Sequence, residues 1–491
     1  MGGLVCGDIL GREGYSVCIL EKNKQIGGCL QTYVRDRVIF DSGVHYLGGL
    51  SKGQNLYQVF TYMGIMDKLK LQKMEEDVFD KILIEDDPKE YVYAQGYENF
   101  IRHLLKEFPN EEKALRNYCD KIKEICSKFP LYNLRSGGDI NEKTTVLEID
   151  AKTFIESITE NETLRGVLAG NNTLYAGEAD KTPLYVHAMI LNSYIESSWK
   201  CIDGGSAIGK YIAKNIRERG GEIRRHAEVK KIMVEDGVVS HVVMADGSKV
   251  YGKYFISNMH PVQTLEMTQT DMIKAAYRSR VKNLENTVSS IIVNVVFKKD
   301  SIPYYKHNYY YQKKGQVWNM TNYTPENWPL GYALFFSASS KTDQFAESMT
   351  ILAYMKFDDV KKWAGTFNTV SEEQSRGEDY EAFKKQKAEL LISLVEERFP
   401  GLREAIASYY VATPLSYRDY IGNDDGSMYG IAKDYRNPLK TFISPRTKVP
   451  NLYLTGQNLN LHGILGATMS GLVTCTAFLG NDDIIEKIRN V

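Results

Sequence analysis

The first part of the chain holds the pattern that most constrains its fold. Residues 1–10 place small and apolar side chains at helical spacing, and Gly14 follows as a residue suited to ending a helix. Residues 15–20 form a short apolar run that predicts a buried strand, and Glu21 stands at its end. Helix, glycine, buried strand and acidic residue, in this order, are the second half of a βαβ unit. The first strand of such a unit and its early glycines are absent from the sequence, so we expect a fold whose opening strand is missing.

The glycines near this unit indicate a dinucleotide site. In the register G-x-G-x-x-G, Gly3 is the third glycine, and Glu21 lies 18 residues later, where an acidic side chain can bind ribose hydroxyls. Gly27 and Gly28 follow, and a glycine pair allows the backbone to pass close to a diphosphate. We therefore predict that this end of the chain holds the adenosine and diphosphate of a dinucleotide.

A second glycine-rich turn lies near the end of the sequence. Thr455 and Gly456 end a short apolar strand, and residues 463–467 lead into an apolar helix. The N-terminus of a helix carries partial positive charge, which can stabilise the negative charge of a reduced flavin. The turn therefore predicts contact with a flavin ring.

Composition limits the classes of function. A chain of 491 residues is long enough for at least two domains, and its net charge of −1 gives no long-range attraction to nucleic acid. The seven cysteines are odd in number and lack CxxC spacing, which favours reduced thiols in a cytosolic protein without a metal. No signal peptide is visible, and the apolar run over residues 469–479 is too short to cross a bilayer. We expect a cytoplasmic protein, either soluble or resting on the inner face of a membrane.

Two further segments, residues 204–209 and 304–311, have a distinctive local composition. Residues 204–209 are a glycine cluster that opens a helix, but we see no clear strand before it and expect no separate nucleotide site there. Residues 304–311 are rich in tyrosine. They fit either a strand pair with aromatic cross-strand contacts or a wall of a channel for a long apolar molecule.

Several short segments, spread over nearly the whole chain, together resemble a known group of proteins. The segments are Glu21-Lys22 with residues 27–28, then 41–45, 204–206, Val229 with 236–237, 257–261, 399–402, 413–415, 426–430 and 452–457. In this order they resemble the phytoene desaturase, carotenoid isomerase and retinol saturase group of FAD proteins, within the wider amine-oxidase-like flavoprotein fold. The form of residues 462–466 is more similar to the retinol saturase and isomerase side of that group.

The resemblance implies where FAD is held. Gly2, Gly3, Glu21, Gly27 and Gly28 would hold its adenosine and diphosphate, and the backbone of Val229 would face the adenine. Gly456 and the 463–467 turn would face the flavin. The full set of cofactor-binding residues that we carry over is Gly2, Gly3, Glu21, Lys22, Gly27, Gly28, Gly43, Val44, Val229, Asn258, Gly456, Gln457, Gly466 and Ala467.

The resemblance also implies an α/β architecture with a discontinuous Rossmann-like FAD-binding domain and an α+β substrate domain. We assign residues 1–70, 200–265 and 440–491 to the FAD-binding domain, with its first strand missing. We assign residues 71–199 and 266–439 to the substrate domain.

The function that follows is FAD-dependent oxidoreduction at carbon–carbon bonds of an apolar polyene or isoprenoid, such as a carotenoid or retinoid. Desaturation, saturation and isomerisation all remain open, as does the electron donor or acceptor. His45 and His462 are the candidate catalytic residues, because both would lie near the cofactor. The alternatives are an amine or porphyrinogen oxidase on the same fold, and a flavin-free remnant that binds lipid. A lipid-like substrate would also favour contact with a membrane surface.

Overall fold

The computed structural model describes residues 1–136 and 140–491. The α-helices are α1 (Gly2–Arg12), α2 (Asn55–Tyr62), α3 (Tyr97–Glu107), α4 (Glu112–Ser127), α5 (Ile140–Leu147), α6 (Ala151–Ile158), α7 (Glu162–Leu168), α8 (Leu184–Glu196), α9 (Ser206–Glu218), α10 (Pro261–Met267), α11 (Ala275–Lys282), α12 (Glu378–Arg398), α13 (Leu402–Ala405), α14 (Pro414–Ile421), α15 (Gly463–Leu479) and α16 (Asp483–Arg489). Short 3₁₀ helices span Gly28–Leu30, Met66–Lys68, Leu131–Asn133, Asn172–Leu174 and Phe357–Trp363.

The strands are β1 (Cys18–Leu20), β2 (Thr32–Arg35), β3 (Val38–Asp41), β4 (Leu47–Gly48), β5 (Leu71–Lys73), β6 (Asp80–Ile84), β7 (Tyr91–Tyr93), β8 (Ser198–Cys201), β9 (Glu222–Arg224), β10 (Val229–Glu235), β11 (Val238–Met244), β12 (Lys249–Tyr251), β13 (Phe255–Ser257), β14 (Ser289–Phe297), β15 (Asn308–Gln312), β16 (Gly331–Phe336), β17 (Ser348–Met355), β18 (Ile406–Ala412) and β19 (Leu452–Leu454). They alternate with helices and form both parallel and antiparallel pairs, as an α/β protein requires.

Two separate pairs of parallel strands flank α1. β1 pairs with β9, and β13 pairs with β19. Among the described strands, neither pair joins the other. The expectation that residues 15–20 form a buried strand is wrong in part: Cys18 is exposed, and Ile19 and Leu20 are half-buried. The reason is that, among the described strands, β1 has a partner along one edge only. That the unit lacks an opening strand stays a prediction.

A larger mixed sheet has the strand order β18-β14-β17-β16-β15-β6-β7. Its β14, β16 and β17 are buried along their full length, as expected for strands covered on both faces. The tyrosine-rich segment contributes β15 to this sheet. Tyr311 lies opposite Tyr332 on β16, and the two rings stack with centroids 4.7 Å apart. The cross-strand interpretation of this segment is therefore confirmed.

Two large hydrophobic cores follow these two sheet systems. One core surrounds the seven-stranded sheet and includes side chains of α3, α4, α8 and α12. The other packs α1, α2, α9, α15 and α16 together. The residue boundaries of the FAD-binding and substrate domains stay a prediction.

The glycine cluster at residues 204–209 follows a strand, which corrects the expectation that none precedes it. β8 ends at Cys201 and pairs antiparallel with β4 and β5. The backbone N–H of Gly205 donates to Asp41 Oδ1 at 2.7 Å, and a Cβ on Gly204 would lie 2.7 Å from Thr32 Cγ2. The glycines therefore serve close packing against the β2–β3 hairpin.

Helices α1 and α15 approach each other closely at Gly471. A Cβ at Gly471 would lie 2.8 Å from Val5 Cγ1 and 3.2 Å from the carbonyl oxygen of Gly2. Real Cβ atoms do not pack against carbon at 2.8 Å, so the glycine sets the distance between the two helices. That distance fixes where the N-termini of both helices lie.

We expect G471A to lower the free energy of unfolding by about 1–3 kcal/mol, because the added methyl group must displace Val5 or the α1 backbone. The matched control is G11A, also within a helix, where a Cβ meets no atom within 4 Å. Alanine there should be neutral or stabilise by up to about 1 kcal/mol through helix propensity. Urea unfolding followed by circular dichroism measures both. Equal stabilities for the two variants would contradict the close packing of α1 on α15.

Candidate functional site

A single large cavity runs from the two parallel strand pairs to the helices beside the seven-stranded sheet. Its volume is about 2060 Å³. A pocket for one drug-sized molecule is usually about 300–1,000 Å³. The cavity is therefore large enough for a dinucleotide together with a second molecule.

The structure places every sequence-predicted site residue on the wall of this cavity. The residues are Gly2, Gly3, Glu21, Lys22, Gly27, Gly28, Gly43, Val44, His45, Val229, Asn258, Gly456, Gln457, His462, Gly466 and Ala467. They come from segments far apart in the sequence, and the fold brings them together. Their individual roles stay predictions.

Asn258 joins two of these segments. Its Oδ1 accepts a hydrogen bond from the backbone N–H of Gly3 at 3.1 Å. A Cβ at Gly2 or at Gly456 would lie within 2.8 Å of the same oxygen. The first turn of α1 and the end of β19 can therefore meet only where neither carries a side chain.

The acidic end of β1 faces the cavity from the side of α1. Glu21 Oε1 accepts a hydrogen bond from the backbone N–H of Asn23 at 2.9 Å, and burial raises the pKa of this carboxyl. A carboxylate held in this way can accept further hydrogen bonds from hydroxyl groups. Lys22 is engaged elsewhere, since its Nζ donates to the carbonyl of Asp419 at 3.2 Å.

The glycine pair shapes the next part of the wall. Gly27 and Gly28 have φ values of +103° and +61°, which a residue with a side chain rarely adopts. Gly43 lies beside this turn, because its Cβ would be 3.3 Å from Cys29 Cβ. The backbone of Val44 and His45 is thereby brought next to the glycine pair.

The N-terminus of α15 lies at the wall beside Gly456. Gly456 and Gly463 both have positive φ, and Gly463 is the first residue of the helix. The first turn of α15 has no side-chain cap. Its backbone N–H groups and the positive end of the helix dipole can therefore act on a ligand in the cavity.

His45 packs on the large sheet. Its ring stacks on Phe335 with centroids 4.3 Å apart and planes at 6°. Burial lowers the pKa of His45 to about 4, and the nearby charge of Lys200 adds to this effect. Its Nε2 is buried and has no hydrogen-bond partner among the described residues. His45 is thus a neutral imidazole with one ring nitrogen free for a ligand.

His462 has its hydrogen bond within the protein. Its Nε2 donates to the carbonyl of Leu174 at 2.8 Å, and its ring stacks on Tyr429 with centroids 4.2 Å apart. Burial lowers its pKa to about 4, against the opposing effect of the bond to Leu174. A neutral, doubly held imidazole is suited to positioning rather than to proton transfer at neutral pH.

Sequence reasoning missed the aromatic and aliphatic residues of the wall. Phe335 and Leu352 belong to the fully buried strands β16 and β17, and Tyr194 belongs to α8. Their apolar segments cannot be told from ordinary core segments by periodicity. Tyr429 had a signal, because it lies within the 426–430 segment that carried the resemblance.

The backbone and side-chain groups of the wall are chemically suited to bind FAD. It offers glycines at positions where a Cβ would clash, an acidic strand end, two helix N-termini and the unpaired Nε2 of His45.

Within residues 1–136 and 140–491, no three metal-ligating side chains cluster in a way that could hold a metal ion. Over the same residues, no helix combines the length and the apolar character needed to cross a membrane.

Comparison with characterised proteins shows relatives over the whole chain. All-trans-retinol 13,14-reductase of Homo sapiens is 24% identical, with 100% of this chain and 86% of the relative covered. The Danio rerio protein of the same name is 24% identical over 99% and 85%. Prolycopene isomerase of Daucus carota is 23% identical over 96% and 77%.

Solved structures share the fold. An oxidoreductase from Methanosarcina mazei superimposes with a TM-score of 0.64 at 14% identity, covering 98% of both chains. Cyclohexylamine oxidase from Brevibacterium oxydans superimposes with a TM-score of 0.61 at 12% identity, covering 98% of this chain and 97% of the oxidase. The predicted α/β fold is confirmed.

A protein-family model also matches the chain. The model described as flavin containing amine oxidoreductase matches residues 1–479. This match covers nearly the whole chain, and it confirms FAD, the cofactor that the resemblance implied. The protein belongs to the flavin containing amine oxidoreductase family.

Proposed function

We propose that the protein is an FAD-dependent oxidoreductase that acts on carbon–carbon double bonds of an apolar polyene or isoprenoid. The observation that carries the proposal is the continuity of the cavity, which joins the glycine-lined cradle to a part walled by aromatic and aliphatic side chains. The names of the relatives, a retinol reductase and a prolycopene isomerase, support this substrate class.

Each end of the cavity would bind a different molecule. Gly2, Gly3 and Glu21 would hold the adenosine and diphosphate side of FAD, and Gly456 with the first turn of α15 would hold its flavin side. When bound, FAD supplies two-electron redox chemistry. His45 would lie where the substrate region begins, since its buried Nε2 has no hydrogen-bond partner among the described residues.

The substrate region favours an apolar chain. Its wall includes Phe129, Leu131, Tyr185, Met189, Tyr194, Phe335 and Leu352. Such a surface excludes water and gains free energy by burying hydrocarbon, at about 25 cal/mol per Å². Because His45 and His462 are neutral, they would orient cofactor and substrate by hydrogen bonding and stacking without placing a charge beside the hydrocarbon.

Exposed apolar side chains at the edge of the cavity support contact with a lipid surface. Leu439 is 69% exposed and Phe442 is 55% exposed, and both also line the cavity. Arg280 donates to the carbonyls of Lys440 and Phe442, which places positive charge next to them. We propose that this edge takes up the substrate from an anionic membrane surface, on the cytoplasmic side.

The first test concerns FAD binding by this 491-residue chain. We expect purified protein to carry a yellow flavin, and E21Q to bind FAD about tenfold or more weakly, because hydrogen bonds to a charged carboxylate contribute about 1.5–3 kcal/mol. The matched control is E222Q on the neighbouring strand β9, whose exposed carboxylate pairs with Arg224 at 2.8 Å. Titration followed by flavin fluorescence measures both. A colourless protein that takes up no FAD would favour the flavin-free remnant.

The second test concerns the reaction. We expect holoenzyme, reduced under anaerobic conditions, to regain its flavin absorbance when a retinoid or carotenoid is added, with a more saturated product. A changed double-bond geometry with no net change in flavin colour indicates isomerisation, and bleaching of oxidised enzyme by the more saturated partner indicates desaturation. Chromatography with mass detection separates these products. Bleaching by primary amines, with no reaction of any polyene, would overturn the proposal in favour of an amine oxidase.

The third test concerns the lipid surface. We expect the double variant L439S/F442S to sediment several-fold less with vesicles that contain anionic lipid, because it loses two exposed apolar contacts. The control is V370S, which removes an apolar side chain that is 64% exposed and does not line the cavity. Equal sedimentation of the two variants and the parent protein would remove the support for membrane uptake at this edge.

A further inference from the structure

Lys433 is a buried cation in the wall of the cavity. Its Nζ lies 3.3 Å from the carbonyl oxygen of Asn458, 3.5 Å from that of Leu459 and 3.4 Å from that of Thr441. The side chain therefore points into the turn that connects Gly456 with α15. The same residue also borders a small neighbouring cavity of about 30 Å³.

The ammonium of Lys433 has no carboxylate partner within 4 Å among the described residues. The nearby acidic groups are paired with other cations: Asp434 with Arg436 at 2.8 Å, and Glu178 with Lys181 at 3.2 Å. Burial lowers the pKa of Lys433 to about 8, so the group still carries most of its charge at neutral pH. Three backbone dipoles at long hydrogen-bond distances compensate a buried charge only in part.

Other sources of positive potential lie at the same place. Lys433 shares the wall of the small neighbouring cavity with Gln457 and His462, and the first turn of α15, which begins at Gly463, presents the positive end of the helix. His462, the residue before α15, is kept neutral partly by the charge of Lys433. No negative side chain balances these groups within the described part of the chain, so this end of the cavity is suited to hold an anion.

We propose that Lys433 is the positioning residue that provides the counter-charge for reduced flavin, and thereby favours the reduced cofactor over the oxidised one. This inference rests on the proposed function. Uptake of two electrons and one proton leaves one net negative charge on the flavin ring system. A cation held near that ring stabilises the reduced form more than the neutral, oxidised form, which raises the midpoint potential.

The test compares variants that separate charge from shape. K433Q removes the charge but keeps an amide that can donate to the same carbonyls, whereas K433M removes charge and donors together. K433R keeps the charge. K230M is the matched control, because Lys230 also lines the cavity, at the adenine end, and is exposed and paired with Glu228 at 2.7 Å.

The measurements are the midpoint potential of each holoenzyme, titrated with dithionite against a reference dye, and the affinities for oxidised and reduced FAD. We expect K433Q and K433M to lower the preference for reduced over oxidised FAD tenfold or more, which corresponds to a potential about 30 mV more negative. We expect K433R and K230M to keep the parent potential. If K433M does not fold, K433Q alone tests whether the charge of Lys433 sets the potential.

Unchanged potentials in K433Q, or an equal shift in K230M, would overturn the inference while the proposed function stands. Equal weakening of both FAD forms would also overturn it, because it would show a structural role in the turn. If the potential stays constant but a retinoid carboxylate binds more weakly to K433Q, the counter-charge serves the substrate, and the inference about flavin is wrong. If the parent protein binds no FAD at all, the proposed function fails and the inference falls with it.

Discussion

The cavity depends on the place where three backbone segments meet around the side-chain amide of Asn258. The first turn of α1 donates to its oxygen through Gly3, and Gly456 at the end of β19 packs against the same atom. The approach is possible because Gly2 and Gly456 lack side chains. Asn258 follows β13, so one amide ties together α1, the β13–β19 pair and the turn leading to α15. The N-termini of both helices thereby reach one cavity.

This meeting point determines the electrostatics of the cavity. Two helix N-termini and the buried Lys433 place positive potential along the wall, while His45 and His462 are neutral because burial lowers their pKa values. Under the proposed function, the charged groups would act on the polar cofactor, and the aromatic surface would remain for an apolar molecule. One continuous cavity with a positively charged part and an aromatic part could hold a polar cofactor directly beside an apolar substrate. A neutral histidine beside hydrocarbon is more favourable than a cationic one, because burying an unpaired charge costs free energy.

Local patterns in the sequence predicted the parts of the site that backbone conformation determines. Gly27, Gly28 and Gly456 require positive φ, and Glu21 ends a strand, so each carries its signal within a few residues. Burial depends on distant partners and was less predictable. β1 was expected to be buried and is half-exposed, since its only described neighbour is β9, some 200 residues later. Likewise, the strand β8, which precedes the 204–209 glycines, forms by pairing with β4 and β5, and both of these lie far from it in the sequence. The wall residues Phe335 and Tyr194 were not predicted, because their apolar segments have the same periodicity as ordinary core segments.

The fold is shared by proteins with unlike substrates, which shows where specificity must lie. Cyclohexylamine oxidase has the same fold, yet an amine and a polyene need different surroundings at the reacting carbon. Under the proposed function, the glycine cradle around Asn258 would hold the cofactor, and a cofactor site does not by itself distinguish one substrate from another. Under the proposed function, discrimination would fall to the side chains that the seven-stranded sheet and α8 present to the cavity. In this chain the ring of His45 lies flat on Phe335, within an aromatic wall that continues to Tyr194 through Tyr46. Under the proposed function, this wall of stacked rings would align an extended conjugated chain by its faces, and the buried Nε2 of His45, which has no hydrogen-bond partner among the described residues, would be available to a ligand.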